Sequence, residues 1–325
     1  MKKLIIGLII SAIGLYIAFR KIDLAALSDV FIHINIGWLL LAVGLIIFSV
    51  WIRALRWQLI LTPIKMIRIA PLFSATMIGY FGNGILPFRL GELLRAYALK
   101  RTEKSISIAS SFGTIMVERL LDMIGVTVLM VSLFGLYHVP SWLTKAGILM
   151  GIIVLGCIAL LFWMSFSHKE WLDRLESLTI LKRGMGLRIR KLLHSFIEGL
   201  LTLRHVRNVT PLIIYSISLW IIYWVITVVS AASLNIQLSW IEAGIVLVAT
   251  TMVISIPSSP GYIGTYHAAA VLIMVDLLGK SVASSQAFAI LIHAVGFLPL
   301  VLIGFYYLLK HSIHIKDVQK IRLDT

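Results

Sequence analysis

The sequence predicts an all-α polytopic membrane protein with six full transmembrane helices and two re-entrant hairpins of broken helix. Of its 325 residues, 60% are hydrophobic and only 13% are charged, and the mean hydropathy is +0.99. Soluble domains are roughly half apolar and a quarter charged, so a soluble class is excluded. The basic residues lie in short segments between long apolar runs, as expected for a membrane protein and not for a nucleic-acid-binding protein.

Six apolar runs are candidates for full spans. A spanning helix needs about 20 residues, or somewhat fewer where basic and aromatic ends reach the interface. The first run follows two lysines and ends at Arg20 without a small-residue cleavage pattern, so we interpret it as a retained helix. The runs are Leu4–Phe19, Gly37–Ile52, Ser107–Tyr137, Thr144–Phe166, Pro211–Ala231 and Ala283–Leu309.

Two further apolar runs are interrupted by glycine and proline. The first hairpin comprises Pro71–Leu86 and Arg89–Lys104, and the second comprises Trp240–Ile256 and Tyr266–Leu278. A helix broken at membrane depth frees backbone groups that lipid cannot satisfy, so protein or a water-filled cavity must receive them. Each break is therefore a candidate site. The residues expected to break the helices are Gly82, Gly84, Pro87, Pro257, Pro260, Gly261 and Gly264.

The order of the elements predicts an inverted repeat within a single membrane domain, residues 1–325. Residues 1–137 are predicted to form two spans, a hairpin and a third span, in that order. Residues 144–309 are predicted to repeat this order. Because each half crosses the membrane three times, the second half is inverted. The first hairpin then enters from the cytoplasm and the second from outside. Inverted repeats with paired discontinuous helices are typical of secondary transporters, which bind their substrate at the breaks.

The charge distribution predicts cytoplasmic N- and C-termini in the cell membrane. In this orientation 23 basic residues lie inside and four outside, two more being at membrane depth. The basic amphipathic segment 167–210 and the tail 310–325 are then cytoplasmic. Two interpretations of the segment remain open. It forms helices along an anionic lipid surface, or it is a solvated linker that fixes orientation.

Charged residues interrupt the third span. Glu118 and Asp122 are four residues apart, on one helix face, and Glu118 lies roughly 17 Å from the helix start at 1.5 Å per residue. A lone charge at that depth costs ~2.5–3.5 kcal/mol on insertion scales. We therefore expect Glu118 or Asp122 to pair with Arg89 or Arg95. This set forms a structural ion-pair network, lines a cavity for a charged lipid headgroup, or does both.

The candidate headgroup residues combine these charges with polar groups at the second break, where backbone amides and helix ends favour an anion such as phosphate. His267 there is either a packed polar residue or a proton-linked ligand. The candidates are Asn83, Arg89, Glu92, Arg95, Glu118, Arg119, Asp122, Ser258, Ser259, Tyr266 and His267. The lone Cys157 and the absence of familiar catalytic or metal-binding motifs predict no catalytic residue, metal or cofactor.

The spacing of these residues resembles the membrane domain of the lysylphosphatidylglycerol synthase/flippase family, the integral-membrane part of the multiple peptide resistance factor. The resembling residues are Asn83, Leu86, Pro87, Arg89, Gly91, Glu92, Arg95, Glu118, Arg119, Asp122, Pro260, Gly261 and Gly264. The resemblance implies lipid translocation between leaflets, or a related role in handling lipids. That family often carries an acid where this chain has His267. The soluble aminoacyl-transferase domain of its full-length members is not expected here.

From these features we expect a flippase-like lipid transporter and not an enzyme. Its ligand would be an anionic phospholipid, an aminoacylated phospholipid or a polyprenyl-phosphate lipid. Two alternatives remain open. One is an intramembrane lipid-modifying transferase with Glu118 or Asp122 as base, and the other is an accessory membrane subunit that transports nothing. Besides membrane lipids, the partners considered are a separate lipid-modifying enzyme and further copies of the chain.

Overall fold

All regular secondary structure in the described part of the chain is helical, as predicted. The computed structural model describes residues 2–86, 89–166, 185–202, 206, 209–255 and 260–313. The helices are α1 (Lys2–Phe19), α2 (Leu24–Ile32), α3 (Ile36–Leu61), α4 (Ile69–Ile85), α5 (Gly91–Thr102), α6 (Ile108–Phe134), α7 (Ser141–Phe166), α8 (Met185–Leu200), α9 (Thr210–Ser233), α10 (Trp240–Ser255), α11 (Thr265–Leu272) and α12 (Val282–Lys310). A 3-10 turn at Pro260–Tyr262 precedes α11, and a π-helical turn at Ile273–Leu277 follows it.

The chain is a multi-pass membrane protein. Among the described residues, four helices are long and apolar enough to cross a bilayer: α3, residues 141–160 of α7, α9 and α12. Helix α6 is 27 residues long, but it carries Glu118, Arg119 and Asp122. Its three charges therefore need partners inside the bundle.

The second span is longer than the sequence predicted. Helix α3 continues past Ile52 to Leu61, because apolar residues still follow the two arginines on its inner face. Arg53 and Arg56 are consequently buried, with 4% and 0% of their surface exposed. The predicted span ended at Ile52, before both arginines, and that end was wrong.

Two helices lie where no span was predicted. Asp23 precedes helix α2 and caps it, because its side chain accepts hydrogen bonds from the amides of Ala25 and Ala26 at 3.0 and 3.1 Å. Helix α8, in the basic segment 167–210, packs on α6 so closely that a Cβ at Gly199 would lie 2.3 Å from the carbonyl oxygen of Ser110. This end of the segment is docked on the bundle. Residues 167–184, 203–205 and 207–208 of the segment, and 314–325 of the tail, lie outside the described residues.

The helices pack around α3, α4 and α12. Helix α3 packs along α9, α4 packs between α5 and α12, and α11 is held between α1 and α12. The largest apolar cluster joins α3, α6, α9, α10 and α12, and a second one joins α3, α4 and α5. This arrangement brings the ends of α4 and α10 towards one interior space.

The prediction that Gly82 and Gly84 break the first hairpin was wrong. Gly82 and Gly84 stay within α4, which ends at Ile85, and α5 begins at Gly91. Glycine serves helix packing here, because a Cβ at Gly82 would lie 2.7 Å from the Cα of Gly91. Pro87 lies outside the described residues.

Candidate functional site

A buried ion-pair network joins α3, α5 and α6. Arg53 Nη1 donates to Glu118 Oε1 at 2.6 Å and to Asp122 Oδ2 at 2.8 Å. Arg56 Nη2 donates to Asp122 Oδ1 at 2.6 Å, and Arg95 Nη2 donates to Glu118 Oε2 at 2.8 Å. Glu118 is fully buried, so it compensates the arginines that surround it.

The predicted pairing of Glu118 with Arg95 is present in this network. Arg95 also lies over the ring of Trp57, with the guanidinium carbon 3.9 Å from the ring centroid, which adds a cation–π contact. Arg89, the other candidate partner, has no carboxylate within 4 Å among the described residues. The acids of α6 pair instead with Arg53 and Arg56, which lie on the facing side of α3.

Arg119 is bound less tightly than these arginines. Its guanidinium lies 3.4 Å from Asp122 and 3.7 Å from both Glu92 and Glu118, distances longer than the best bonds of the network. About a quarter of its side chain is exposed, at 24%. Glu92 also accepts a long hydrogen bond of 3.5 Å from Asn83 Nδ2. Arg119 therefore keeps donor capacity for a ligand.

Arg89 connects the two breaks. It follows the first break in a left-handed conformation, with φ 56°, which is uncommon for a side-chain-bearing residue. Its Nη2 donates to the carbonyl oxygen of Ile254 at 2.6 Å, and its guanidinium lies 5.6 Å from the ring centroid of Tyr262. A cation at the carboxyl end of α10 is favourable because the last carbonyl groups of a helix carry partial negative charge. The two breaks thus meet at Arg89.

The second break depends on glycine conformations and on a histidine. Gly261 and Gly264 have φ of 65° and 93°, values that glycine adopts without steric cost. The His293 ring nitrogen Nε2 lies 2.8 Å from the carbonyl oxygen of Gly261 and ties the break to α12. His267 is buried at the start of α11, with its ring centroid 4.7 Å from that of His293. Pro257, Ser258 and Ser259 lie outside the described residues.

An interior cavity of about 340 Å³ lies beside these breaks. The sequence candidates in its wall are Asn83, Gly84, Arg89, Glu92, Arg119, Asp122, Gly261 and Tyr266. Arg95 and Glu118 are not in the wall, nor are His267, Gly82, Pro260 and Gly264. Sequence reasoning missed several wall residues from other helices, notably Arg53, Tyr80, Trp220, Tyr223 and His293.

The wall combines a group of charged side chains with a mostly apolar lining. Its charged members are three arginines and two carboxylates: Arg53, Arg89, Arg119, Glu92 and Asp122. The ion-pair network adds Arg56, Arg95 and Glu118, which are not in the wall. The whole group then has five arginines and three carboxylates, and its formal charge is +2. The remaining wall is mostly aliphatic and aromatic. No group of three residues suited to holding a metal ion occurs in the described part of the chain. This arrangement suits an anion joined to an apolar body.

Comparison with known proteins identifies a family of membrane proteins. A family described as the lysylphosphatidylglycerol synthase TM region matches residues 4–304. A UPF0104 membrane protein of Methanocaldococcus jannaschii is 27% identical over 248 residues, which are 72% of this chain and 96% of the relative. Another UPF0104 membrane protein, of Pyrococcus horikoshii, is 30% identical over 140 residues, 42% of each chain. No solved structure matches the chain significantly. The match over nearly the whole chain shows that this protein belongs to the lysylphosphatidylglycerol synthase transmembrane-region family.

Proposed function

We propose that the protein binds an anionic lipid in the interior cavity and moves it between the leaflets, with the phosphate held by Arg89 and Arg119. The observation that supports this most directly is the +2 charge of the group beside a mostly apolar cavity. A buried excess of cationic charge is costly unless a counter-charge arrives. A lipid phosphate supplies that counter-charge, and its apolar part suits the remaining wall.

The arginines of this group form two sets that differ in how closely they are bonded to carboxylates. Arg53, Arg56 and Arg95 are bonded to Glu118 and Asp122, and these bonds hold three helices together. In contrast, among the described residues Arg89 bonds a carbonyl group and the Tyr262 side chain but no carboxylate, and the carboxylate contacts of Arg119 are long. Charge-assisted bonds to phosphate are stronger than bonds to a neutral carbonyl group, so a phosphate competes well for Arg89.

This proposal is tested by replacing Arg89 with glutamine. Binding of a fluorescent phosphatidylglycerol to the protein in detergent is measured by polarisation. We expect the affinity to fall about 10- to 100-fold, because a hydrogen bond to a charged group contributes ~1.5–3 kcal/mol. Arg101→Gln is the matched control, since Arg101 is exposed near the end of the same hairpin. Equal affinity in Arg89→Gln and the native protein would contradict the proposal, as would equal competition by phosphatidylcholine. Lysyl-phosphatidylglycerol and a polyprenyl phosphate, used as competitors, then rank the headgroups.

The geometry argues against the transferase alternative. Glu118 is fully buried and absent from the cavity wall, and Asp122 accepts bonds of 2.8 and 2.6 Å from Arg53 and Arg56. Carboxylates held in this way are poor general bases, because accepting a proton would break their ion pairs. A liposome assay that follows labelled lipid between leaflets distinguishes the accessory-subunit alternative from a transporter.

We further propose that the helices form the predicted inverted repeat. The first half would comprise α1, α3, the hairpin α4–α5 and α6, and the second half α7, α9, the hairpin α10–α11 and α12. The meeting of both breaks at Arg89 supports this arrangement, because paired discontinuous helices of inverted repeats meet at the substrate site.

The inverted repeat and the cytoplasmic termini predict that the two loops flanking α6 lie on opposite sides of the membrane. In a background with Cys157 replaced, a cysteine at Ser105 should react with an impermeant maleimide only from the cytoplasmic side. A cysteine at His138 should react from the outside. The pair is matched because the two positions flank the same helix. Labelling of both from one side would contradict the three-crossing half.

A further inference from the structure

Two histidines meet at the second break. His293 on α12 lines the cavity, and its ring centroid lies 4.7 Å from that of His267 at the start of α11. Neither makes an ion pair with a carboxylate in the described part of the chain. Histidine is the side chain that ordinarily gains or loses a proton near neutral pH. The pair is therefore a place at which the cavity can take up a proton.

The hydrogen bonds of the two rings define which nitrogen carries a hydrogen in the neutral state. A carbonyl oxygen only accepts, so Nε2 of His293, 2.8 Å from the oxygen of Gly261, carries a hydrogen. An amide only donates, so Nδ1 of His267, 3.4 Å from the nitrogen of Gly264, carries none. The nitrogens that can receive a proton are thus Nδ1 of His293 and Nδ1 of His267.

Of the two, His293 takes a proton without losing a bond. Its Nδ1 has no hydrogen bond among the described residues, while its Nε2–H continues to donate to Gly261, and more strongly once the ring is a cation. A proton on Nδ1 of His267 would instead remove the acceptor of the Gly264 amide. Two imidazolium rings at this distance would also repel each other, so we expect one proton for the pair.

His293 lies beside the arginine assigned to the phosphate. The guanidinium of Arg89 is 5.6 Å from the ring centroid of Tyr262, and His293 bonds the preceding residue, Gly261. While the cavity holds no anion, a further cation is unfavourable in this apolar interior, because the group already has an excess of positive charge. A nearby phosphate reverses this, because an opposite charge favours the protonated form of an imidazole.

Other titratable or charged groups share the wall with His293 or contact it. They are the five charged residues of the wall, together with Tyr80 from α4, Tyr223 from α9, Tyr262 from the 3-10 turn, and Tyr266 and His267 from α11. A proton on Glu92 or Asp122 would make the cavity more positive, as a proton on His293 does. A test therefore has to separate the histidine from the carboxylates.

We propose that His293 takes up a proton at Nδ1 when the lipid phosphate binds and returns it to solvent when the lipid leaves. The imidazolium is then a third cation beside Arg89 and Arg119, and His267 stays neutral. This inference rests on the proposed function and adds to it a coupling between lipid binding and proton concentration. By linkage, a group that gains a proton on binding makes the affinity rise as the pH falls.

The test compares the affinity for fluorescent phosphatidylglycerol in detergent at about pH 6 and about pH 8. The phosphodiester of this lipid keeps one negative charge across that range. The native protein should bind about tenfold more tightly at the lower pH. His293→Gln should bind equally at both, since glutamine can still donate to Gly261 but takes no proton. His311→Gln is the matched control, because His311 directly follows α12 and is not in the cavity wall, and it should keep the native pH dependence.

Three results would overturn the inference. They are a native affinity that does not change with pH, a pH dependence that persists in His293→Gln, and a pH dependence that is lost in His311→Gln. Persistence in His293→Gln would assign the proton to another group, such as Glu92 or His267. Failure of the proposed function is different, because the native protein would then bind no phosphatidylglycerol at either pH.

The native protein also provides a measurement that does not depend on the folding of a variant. The heat of phosphatidylglycerol binding is measured by calorimetry at about pH 7 in two buffers with different ionisation enthalpies. The difference between the two heats gives the number of protons exchanged, and we expect a net uptake of up to about one proton per lipid. Release of protons, or no exchange, would overturn the inference.

Discussion

Replacing Glu118 with glutamine is expected to lower the melting temperature of the protein in detergent by at least ~6 °C. The carboxylate is fully buried and accepts bonds from Arg53 and Arg95 at 2.6 and 2.8 Å. Removing one partner of a buried ion pair costs ~3–5 kcal/mol, because the remaining charge is left uncompensated. For a chain of this size each kcal/mol corresponds to roughly 2 °C.

The matched control is Glu103→Gln. Glu103 pairs with Lys65 at 3.2 Å, but both side chains reach the surface, and such pairs contribute ~0–1 kcal/mol. Its melting temperature should change by less than about 2 °C. A double-mutant cycle of Glu118→Gln and Arg95→Met should show a coupling energy of about 0.5–3 kcal/mol. Coupling near zero, or equal shifts for Glu118→Gln and Glu103→Gln, would contradict the structural role of the network.

Gly264→Ala is expected to destabilise the protein by several kcal/mol and to separate α1 from α11. Gly264 has φ 93° and ψ −64°, a conformation that costs an L-residue about 1–3 kcal/mol. In addition, the new Cβ would lie 2.1 Å from the carbonyl oxygen of Ser11 on α1. Gly14 faces it across the same contact, so neither helix has room to move aside.

Gly279→Ala isolates the conformational effect, without the close contact. Gly279 also has a positive φ, of 63°, but a Cβ there would meet nothing within 4 Å. Its substitution should therefore cost only the conformational part, about 1–2 kcal/mol. Melting temperatures of both variants in detergent give the comparison. If Gly264→Ala proved no worse than Gly279→Ala, the close contact of α1 with α11 would not contribute to stability.

The sequence predicted the broken helices and one ion pair because both follow from local rules. Glycine in a left-handed conformation marks a turn, as at Gly261, and a carboxylate at membrane depth requires a cation. Glu118 therefore had to have a partner, and Arg95 is one of them. These inferences need only the cost of an unsatisfied group in an apolar medium.

The roles of Arg53 and Arg56 were missed because basic residues after an apolar run usually anchor a helix at the interface. A local signal was available. The buried residues of α3 continue through the arginines at spacings of three and four: Ile46, Val50, Arg53, Trp57 and Ile60. An inward-facing stripe that includes arginine and extends beyond it indicates a longer helix with a buried cation.

The cavity wall contributed by α9 and α12 could not be predicted. In a membrane, the helix faces that meet lipid and those that meet protein are both apolar, so periodicity does not show which face turns inward. Trp220 and Tyr223 on α9, and His293 on α12, are therefore seen to line the cavity only when the helices are assembled.

The buried network also has a consequence for biogenesis. Leu61, the last residue of α3, precedes Glu118 by 57 residues, so at synthesis rates of about 5–20 residues per second α3 is complete roughly 3–11 s before the carboxylates that neutralise it. During this interval two arginines of a membrane helix have no counter-charge from α6. We therefore expect Arg53 and Arg56 to be neutralised only once α6 has been made, which couples the insertion of α3 to that of α6.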